Sequence, residues 1–419
     1  MTVAGFAPVM TLSEDRRANV TVLGHVAVLA IGATSGIQVA NFTATALSVV
    51  CLLLVPAFLL MTHRGIDLVP LVLAALGWIS FLASCLVNGV SVLWPNAVAP
   101  AAFGLYFIGL TVLTGRAVDV IATVLAGIGA GTVVFFLTKG IELTHTGSFL
   151  DLWKYGIAHA ATILILFALT TARAPLVLHS LVLGVLGLAS LGLNFRSHAL
   201  VCLLASATLF SHRFFGSRIR RGWQFAGIIA FGLLFSYVMP IAARMGLFGP
   251  ALQNKQIEQE ATNLPILLAG RTEPPLSIAA ITDHPLLGWG SAVKLTPDVY
   301  TQAEHLAVAI GYAPTFPFDV YWRMWLPPNE YSFHSILLGS WAEGGVLAVL
   351  LPMWLLVTCI AVVWNQSRFG VWAPIALTVA LQGIWDLLYA PWTYNMVAEY
   401  ACIALLYGAV HFRVQPAEP

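Results

Sequence analysis

Residues 118–138 read VDVIATVLAGIGAGTVVFFLT, with Arg116 just before the run and Lys139 just after it. At 1.5 Å of helical rise per residue the run spans roughly 30 Å, the thickness of a bilayer's hydrocarbon core. It therefore reads as a transmembrane helix. Eleven further runs of the same kind lie on either side of it, at about 19–38, 42–62, 68–88, 96–114, 156–172, 175–194, 198–212, 223–243, 336–363, 371–390 and 396–412. The whole chain is 59% hydrophobic and only 9% charged, whereas a soluble domain carries about 25% charge. The sequence predicts an all-α polytopic membrane protein with about 12 transmembrane helices. Residues 1–419 form a single integral membrane domain, without a Gly/Ser or Pro linker and without the internal repeat that marks many transporters.

Between the ninth and tenth runs lies one large loop, residues 245–333, flanked by polar residues. Cytoplasmic connections are enriched in Lys and Arg. With the N-terminus inside, Arg16, Arg17, Arg64, Arg116, Arg173, Arg213, Arg218, Arg220, Arg221, Arg368 and Arg413 all fall on the cytoplasmic side. That orientation makes the long loop extracytoplasmic. The first run has no small-residue cleavage site, so it is expected to stay as a helix. Cys51, Cys85, Cys202, Cys359 and Cys402 all fall inside expected spans, which argues against an exported disulfide framework or a zinc site. The net charge of +1 gives no reason to expect nucleic acid. The Arg218, Arg220, Arg221 cluster reads as a topology anchor.

Inside the loop, Ala251–Thr262 and Asp298–Ile310 have helical composition, the second with Asp298 as its expected N-cap. Leu276–Ile281 is a candidate short helix after Pro274-Pro275, ended by the turn-forming His284-Pro285-Leu286-Leu287-Gly288-Trp289-Gly290. Tyr321, Trp322, Trp325, Tyr331 and Phe333 crowd the loop's return. They suit either an interfacial belt or the wall of a sugar site.

Several ionisable residues stand out in so apolar a chain. Arg196, in Asn194-Phe195-Arg196-Ser197-His198, is seventeen residues from Arg213, roughly 25 Å of helix. With Arg213 at the inner surface, Arg196 is not clear of the outer one. It either snorkels or faces a hydrated cavity. Arg271 is a loop guanidinium suited to bidentate capture of phosphate oxygens. His334 to Glu343 is expected to be one helix above or on the membrane, with a bend at Gly344-Gly345. Nine residues put His334 and Glu343 on opposite faces of a straight helix, so they are not a direct pair. His334 is then available as a base near neutral pH or, protonated, as a phosphate partner. Asp386 and Glu399 are acidic groups in or near spans. Asp386 either pairs with an Arg above it or shapes a polar cavity. Lys139, Lys154 and Arg323 either add positive charge to the same pocket or anchor the interface.

At these residues the chain resembles the O-antigen ligase and polymerase superfamily of membrane glycosyltransferases, over about residues 185–365. Three features carry the resemblance. They are Arg196-Ser197 at a helix end; Arg271 followed by a short helix and Pro285-Leu286-Leu287-Gly288-Trp289-Gly290; and His334-Ser335 followed by Leu338, Glu343 and Gly345. His-Ser stands here where His-Asn is common, and Val346-Leu347-Ala348 replaces a further glycine.

The resemblance implies a GT-C-like architecture in the inner (cytoplasmic) membrane with its active site on the extracytoplasmic face. It implies transfer of a glycan from a polyprenyl-diphosphate-linked donor to a hydroxyl of a lipid or glycan acceptor, with inversion and with no metal or cofactor. Arg196 and Arg271 would neutralise the diphosphate, and His334 would deprotonate the acceptor or join them. Ser335, Glu343, Asp386 and Trp289 are the expected substrate-binding residues. A flippase and other envelope-assembly proteins are the implied protein partners, beside the lipid bilayer itself. Two other classes remain open: a polytopic transporter or lipid-linked glycan flippase, and a noncatalytic envelope-assembly scaffold.

Overall fold

The computed structural model describes residues 14–40, 43–61, 68–140, 149–215, 221–260, 273–318, 322 and 333–411. Among them the chain is almost wholly helical. In order the helices are α1 (Glu14–Ala33), α2 (Ala46–Leu53), α3 (Val55–Leu59), α4 (Val69–Val87), α5 (Pro95–Thr114), α6 (Val118–Phe135), α7 (Phe149–Leu152), α8 (Ala158–Thr171) and α9 (Leu176–Gly192). There follow α10 (Arg196–Phe215), α11 (Arg221–Arg244), α12 (Pro250–Glu260), α13 (Glu273–Asp283), α14 (Pro297–Ala309), α15 (Ile336–Gly344), α16 (Leu350–Trp364), α17 (Ala373–Tyr389) and α18 (Met396–His411). A short antiparallel hairpin, β1 (Gln38–Ala40) with β2 (Ala44–Thr45), links α1 to α2.

Among the described residues six helices are long and apolar enough to cross a membrane: Val69–Val87, Pro95–Thr114, Val118–Lys139, Leu150–Thr171, Gly222–Arg244 and Gln366–Tyr389. The described residues are thus those of a mostly helical membrane protein. Some other expected spans are shorter helices, such as Leu176–Gly192 and Leu350–Trp364, and some are broken. The run at 42–62 divides into α2 and α3 around Leu54, where Pro56 has no N–H to continue the helical ladder. The run at 336–363 divides into α15 and α16. Gly345 there takes φ +80 and ψ −174, a backbone region open essentially to glycine, and the helix ends.

Lipid tails are as apolar as leucine, so helices associate through close backbone contact at small residues. The α1–α6 crossing shows this. A Cβ on Gly32 would lie 2.7 Å from the Val124 carbonyl oxygen, and one on Gly131 would lie 2.6 Å from the Gly36 nitrogen. The largest core lies among α5, α6, α16, α17 and α18, with Phe103, Ile121, Leu355, Leu377 and Tyr400 all buried. α9 and α10 form a helical hairpin that adds Leu183, Val201 and Cys202 to it.

The described residues between Arg244 and Phe333 include the three α-helices α12, α13 and α14 and a short 3-10 turn at Ala292–Lys294. α12 packs against α11, burying Leu252 with Leu191, Ala199, Met239 and Ala243. α13 and α14 pair around a separate core of Leu276, Ala280, Trp289, Val299, Ala303 and Trp322. Two expected boundaries move. α13 begins at Glu273 rather than Leu276, because Pro274 and Pro275 fit the first helical turn, where no N–H is needed. α14 is capped at Thr296, not Asp298: Pro297 takes the first helical position, and Asp298 lies in the first turn beside the positive end of the helix dipole.

Candidate functional site

Ser335 fixes the start of α15. Its hydroxyl oxygen accepts from the Leu338 N–H at 3.1 Å, and the hydroxyl donates to the Leu387 carbonyl of α17 at 3.1 Å. The expected helix from His334 is therefore corrected. His334 stands just ahead of the helix, because a capping residue takes extended backbone, here φ −161 and ψ 120 at Ser335. Outside the helix, the His334 ring meets the start of α13. Its Nδ1 lies 3.4 Å from Glu273 Oε1, with the imidazole about 30% exposed. Glu273 escaped the sequence reading, although an acidic residue two positions after Arg271 at a helix start was the available signal.

The other end of α15 is clasped by the 285–290 turn. Trp289 N–H donates to the Ala342 carbonyl at 2.9 Å, Gly290 N–H to the Glu343 carbonyl at 2.8 Å, and Val346 N–H to the Leu286 carbonyl at 3.2 Å. The contact is so close that a Cβ on Gly288, itself at φ +73, would come 2.6 Å from the Glu343 backbone. Glycine is required there on both counts. From the membrane side, Ser84 donates to the Glu343 carbonyl at 2.7 Å and Ser80 to that of Gly344 at 2.6 Å.

The Glu343 side chain is the centre of this clasp. Oε2 accepts from Asn96 Nδ2 at 2.7 Å and from the Trp94 indole at 3.2 Å, and Oε1 from the Ala292 N–H at 3.2 Å. α15 lies outside the six long spans. Burial pushes the Glu343 carboxyl up to about 7, against the three donors, which favour the charged form. Glu343 and Trp289 were expected to bind substrate. The structure gives both an internal use, since the Trp289 indole donates to the Ala280 carbonyl at 3.1 Å and lies in the α13–α14 core.

Between these two ends, Asn96, Phe333, Ser335, Gly339, Ser340 and Trp392 line a recess of about 190 Å³, including space open to solvent. Most of that space is open, and its enclosed part has room for about one water. Ser335 is thus an expected binding residue that lines the recess, although it is buried and its hydroxyl is already bonded to Leu338 and Leu387.

Arg196 is the first residue of α10, and its Nη1 donates to Gln256 Oε1 of α12 at 3.2 Å. Arg271 and Arg323 lie outside the described residues. In sequence, Arg271 belongs to the connection between α12, which Arg196 holds, and Glu273, which His334 meets. Lys139 is exposed at the end of the turn after α6, and Lys154 donates to the Tyr155 hydroxyl at 2.8 Å.

Asp386 belongs to a second polar cluster, inside the bundle. It accepts from Gln382 Nε2 of its own helix at 2.8 Å. Nearby, His159 Nε2 of α8 lies 3.2 Å from Glu399 Oε2 of α18, and His198 Nε2 of α10 lies 3.0 Å from the Thr162 hydroxyl. His159 was missed, since one histidine in an apolar run gives no sign of what it faces.

No protein-family model, curated protein or solved structure matches this chain.

Proposed function

We propose that this chain is a membrane glycosyltransferase that moves a glycan from a polyprenyl-diphosphate-linked donor to an acceptor hydroxyl, working on the extracytoplasmic face. One observation carries the reading. The 285–290 turn and the Glu343–Gly345 segment, distant in sequence and both part of the resemblance, are hydrogen-bonded into one unit, and Ser335, at the start of the helix they hold, lines a recess next in sequence to His334.

In this reading the Arg196 and Arg271 guanidiniums neutralise the departing diphosphate, already a good leaving group, so preorganised positive charge is the main need. His334, held beside Glu273, takes the acceptor hydroxyl's proton or adds its own charge to the diphosphate. Attack from the face opposite the leaving group inverts the anomeric centre. Ser335 contacts substrate in the recess; Glu343 and Trp289 act by holding the recess in shape.

The test is glycan transfer in membranes lacking an endogenous transferase, comparing native protein with Arg271→Ala and His334→Ala at matched expression. Native protein should produce a longer or newly attached glycan, and both variants should accumulate the polyprenyl-linked donor. Variants as active as the native chain would sink the site assignment.

A transporter or flippase is the second reading, favoured by the ionisable cluster around Asp386 within the helix bundle. It requires native protein in vesicles to move lipid-linked glycan across the bilayer without forming any transfer product.

A further inference from the structure

We propose that His159, His198, Asp386 and Glu399 form a proton-binding site within the membrane, with one exchangeable proton held between His159 and Glu399. Four helices, α8, α10, α17 and α18, each contribute one of these groups. His159 Nε2 is 3.2 Å from Glu399 Oε2, and the His159 and His198 rings stand edge to face with centroids 6.3 Å apart. Asp386 lies within electrostatic reach of both His159 and Glu399.

Charge balance calls for a proton here. Burying an unpaired charge costs several kcal/mol, and among the described residues no Lys or Arg pairs with Asp386 or Glu399. The cluster contains two carboxylates and two imidazoles, so protons are what balances it. One proton on His159 makes an ion pair with Glu399, and its loss leaves that carboxylate uncompensated. No bond to carbon and no electron is involved: a proton enters from solvent and leaves to it.

A second observation points the same way. Both ring nitrogens of His159, the Nδ1 of the wholly buried His198 and Oε1 of Gln382 make no hydrogen bond of good geometry among the described residues. In a fully satisfied structural network all four would be bonded, and the His159–Glu399 approach is an ion-pair distance with room for the proton to be gained or lost. The other titratable groups facing the cluster are Cys202 of α10, Cys359 of α16, and Tyr400 and Cys402 of α18. None of these brings a positive charge. The site stands independently of both functional readings above.

The experiment is infrared titration of full-length protein in phosphatidylcholine nanodiscs, following the carbonyl stretch of protonated carboxylic acids. The native protein should show a carboxyl population that titrates apart from the surface carboxylates. Glu399→Gln should remove that component, and His159→Gln should shift its midpoint. Carboxyl-13C glutamate in the native protein should move the same band. Glu343, which also titrates apart from the surface groups, carries the same label, so the labelled band is read again in Glu343→Gln: a component that remains belongs to the cluster, and a band that disappears overturns the proposal. A native titration with surface-like carboxylates only, or a separate band unmoved by the glutamate label, overturns the proposal. Glycan transfer plays no part in the readout, so failure of the transferase reading leaves this result intact.

Discussion

Asn96 donates its side-chain N–H to Glu343 Oε2 at 2.7 Å, joining the first turn of α5 to the last turn of α15. Trp94 and the Ala292 N–H donate to the same carboxylate, which has no exposed surface. Glu343→Ala strands three donors, and each buried donor left unpaired costs about 1–3 kcal/mol. The expected outcome is a clearly lower Tm in detergent, with faster proteolytic cutting within 245–333. Glu343→Gln, which keeps one acceptor, should fall between. Equal Tm values for all three proteins would remove Glu343 from its central place.

The same group predicts a pH dependence. Its folded-state pKa of about 7 exceeds the usual value near 4.5, so the folded protein binds the proton more tightly than the unfolded chain does. Its contribution to stability is complete below about 4.5 and is lost as pH rises through about 7. Thermal unfolding of native protein should weaken across that window, and Glu343→Gln should flatten this component of the profile.

At the α1–α6 crossing, Gly127 lies against the Leu29 carbonyl and Gly32, whereas a Cβ on Gly24 of the same α1 would meet no atom within 4 Å. Gly127→Leu should abolish a monodisperse detergent-solubilised protein, and Gly24→Leu should leave it unchanged. Size-exclusion profiles at matched expression separate the two.

Glu273 is placed to orient His334 across 3.4 Å. If the transferase reading holds, Glu273→Gln should lower kcat about ten-fold, equivalent to roughly 1.4 kcal/mol, with KM little changed. His334→Ala should lose about 100-fold or more if His334 is the base. A Glu273→Gln effect confined to KM would assign the carboxylate to binding instead.

How much of the site was legible follows from what each residue depends on. The 285–290 turn could be found because turn chemistry is local, set by glycines at positive φ, whereas Ser335 entered only through the resemblance and not as a cap. The start of α15 falls two residues later than expected for a local reason, since Ser335 serves as its cap. Glu273 and His159 could not be found from spacing. Each acquires its meaning from a partner on another segment, His334 and Glu399 respectively.

The sequence by itself determined that this is a helical membrane protein. Hydrocarbon leaves a long apolar segment no way to satisfy its backbone except a helix, so composition and run length suffice. Tertiary structure alone decided that Glu343 clasps two distant segments, that His334 faces Glu273, and that four ionisable groups meet inside the bundle. A buried polar atom must find a partner, and which one it finds depends on how helices pack in three dimensions.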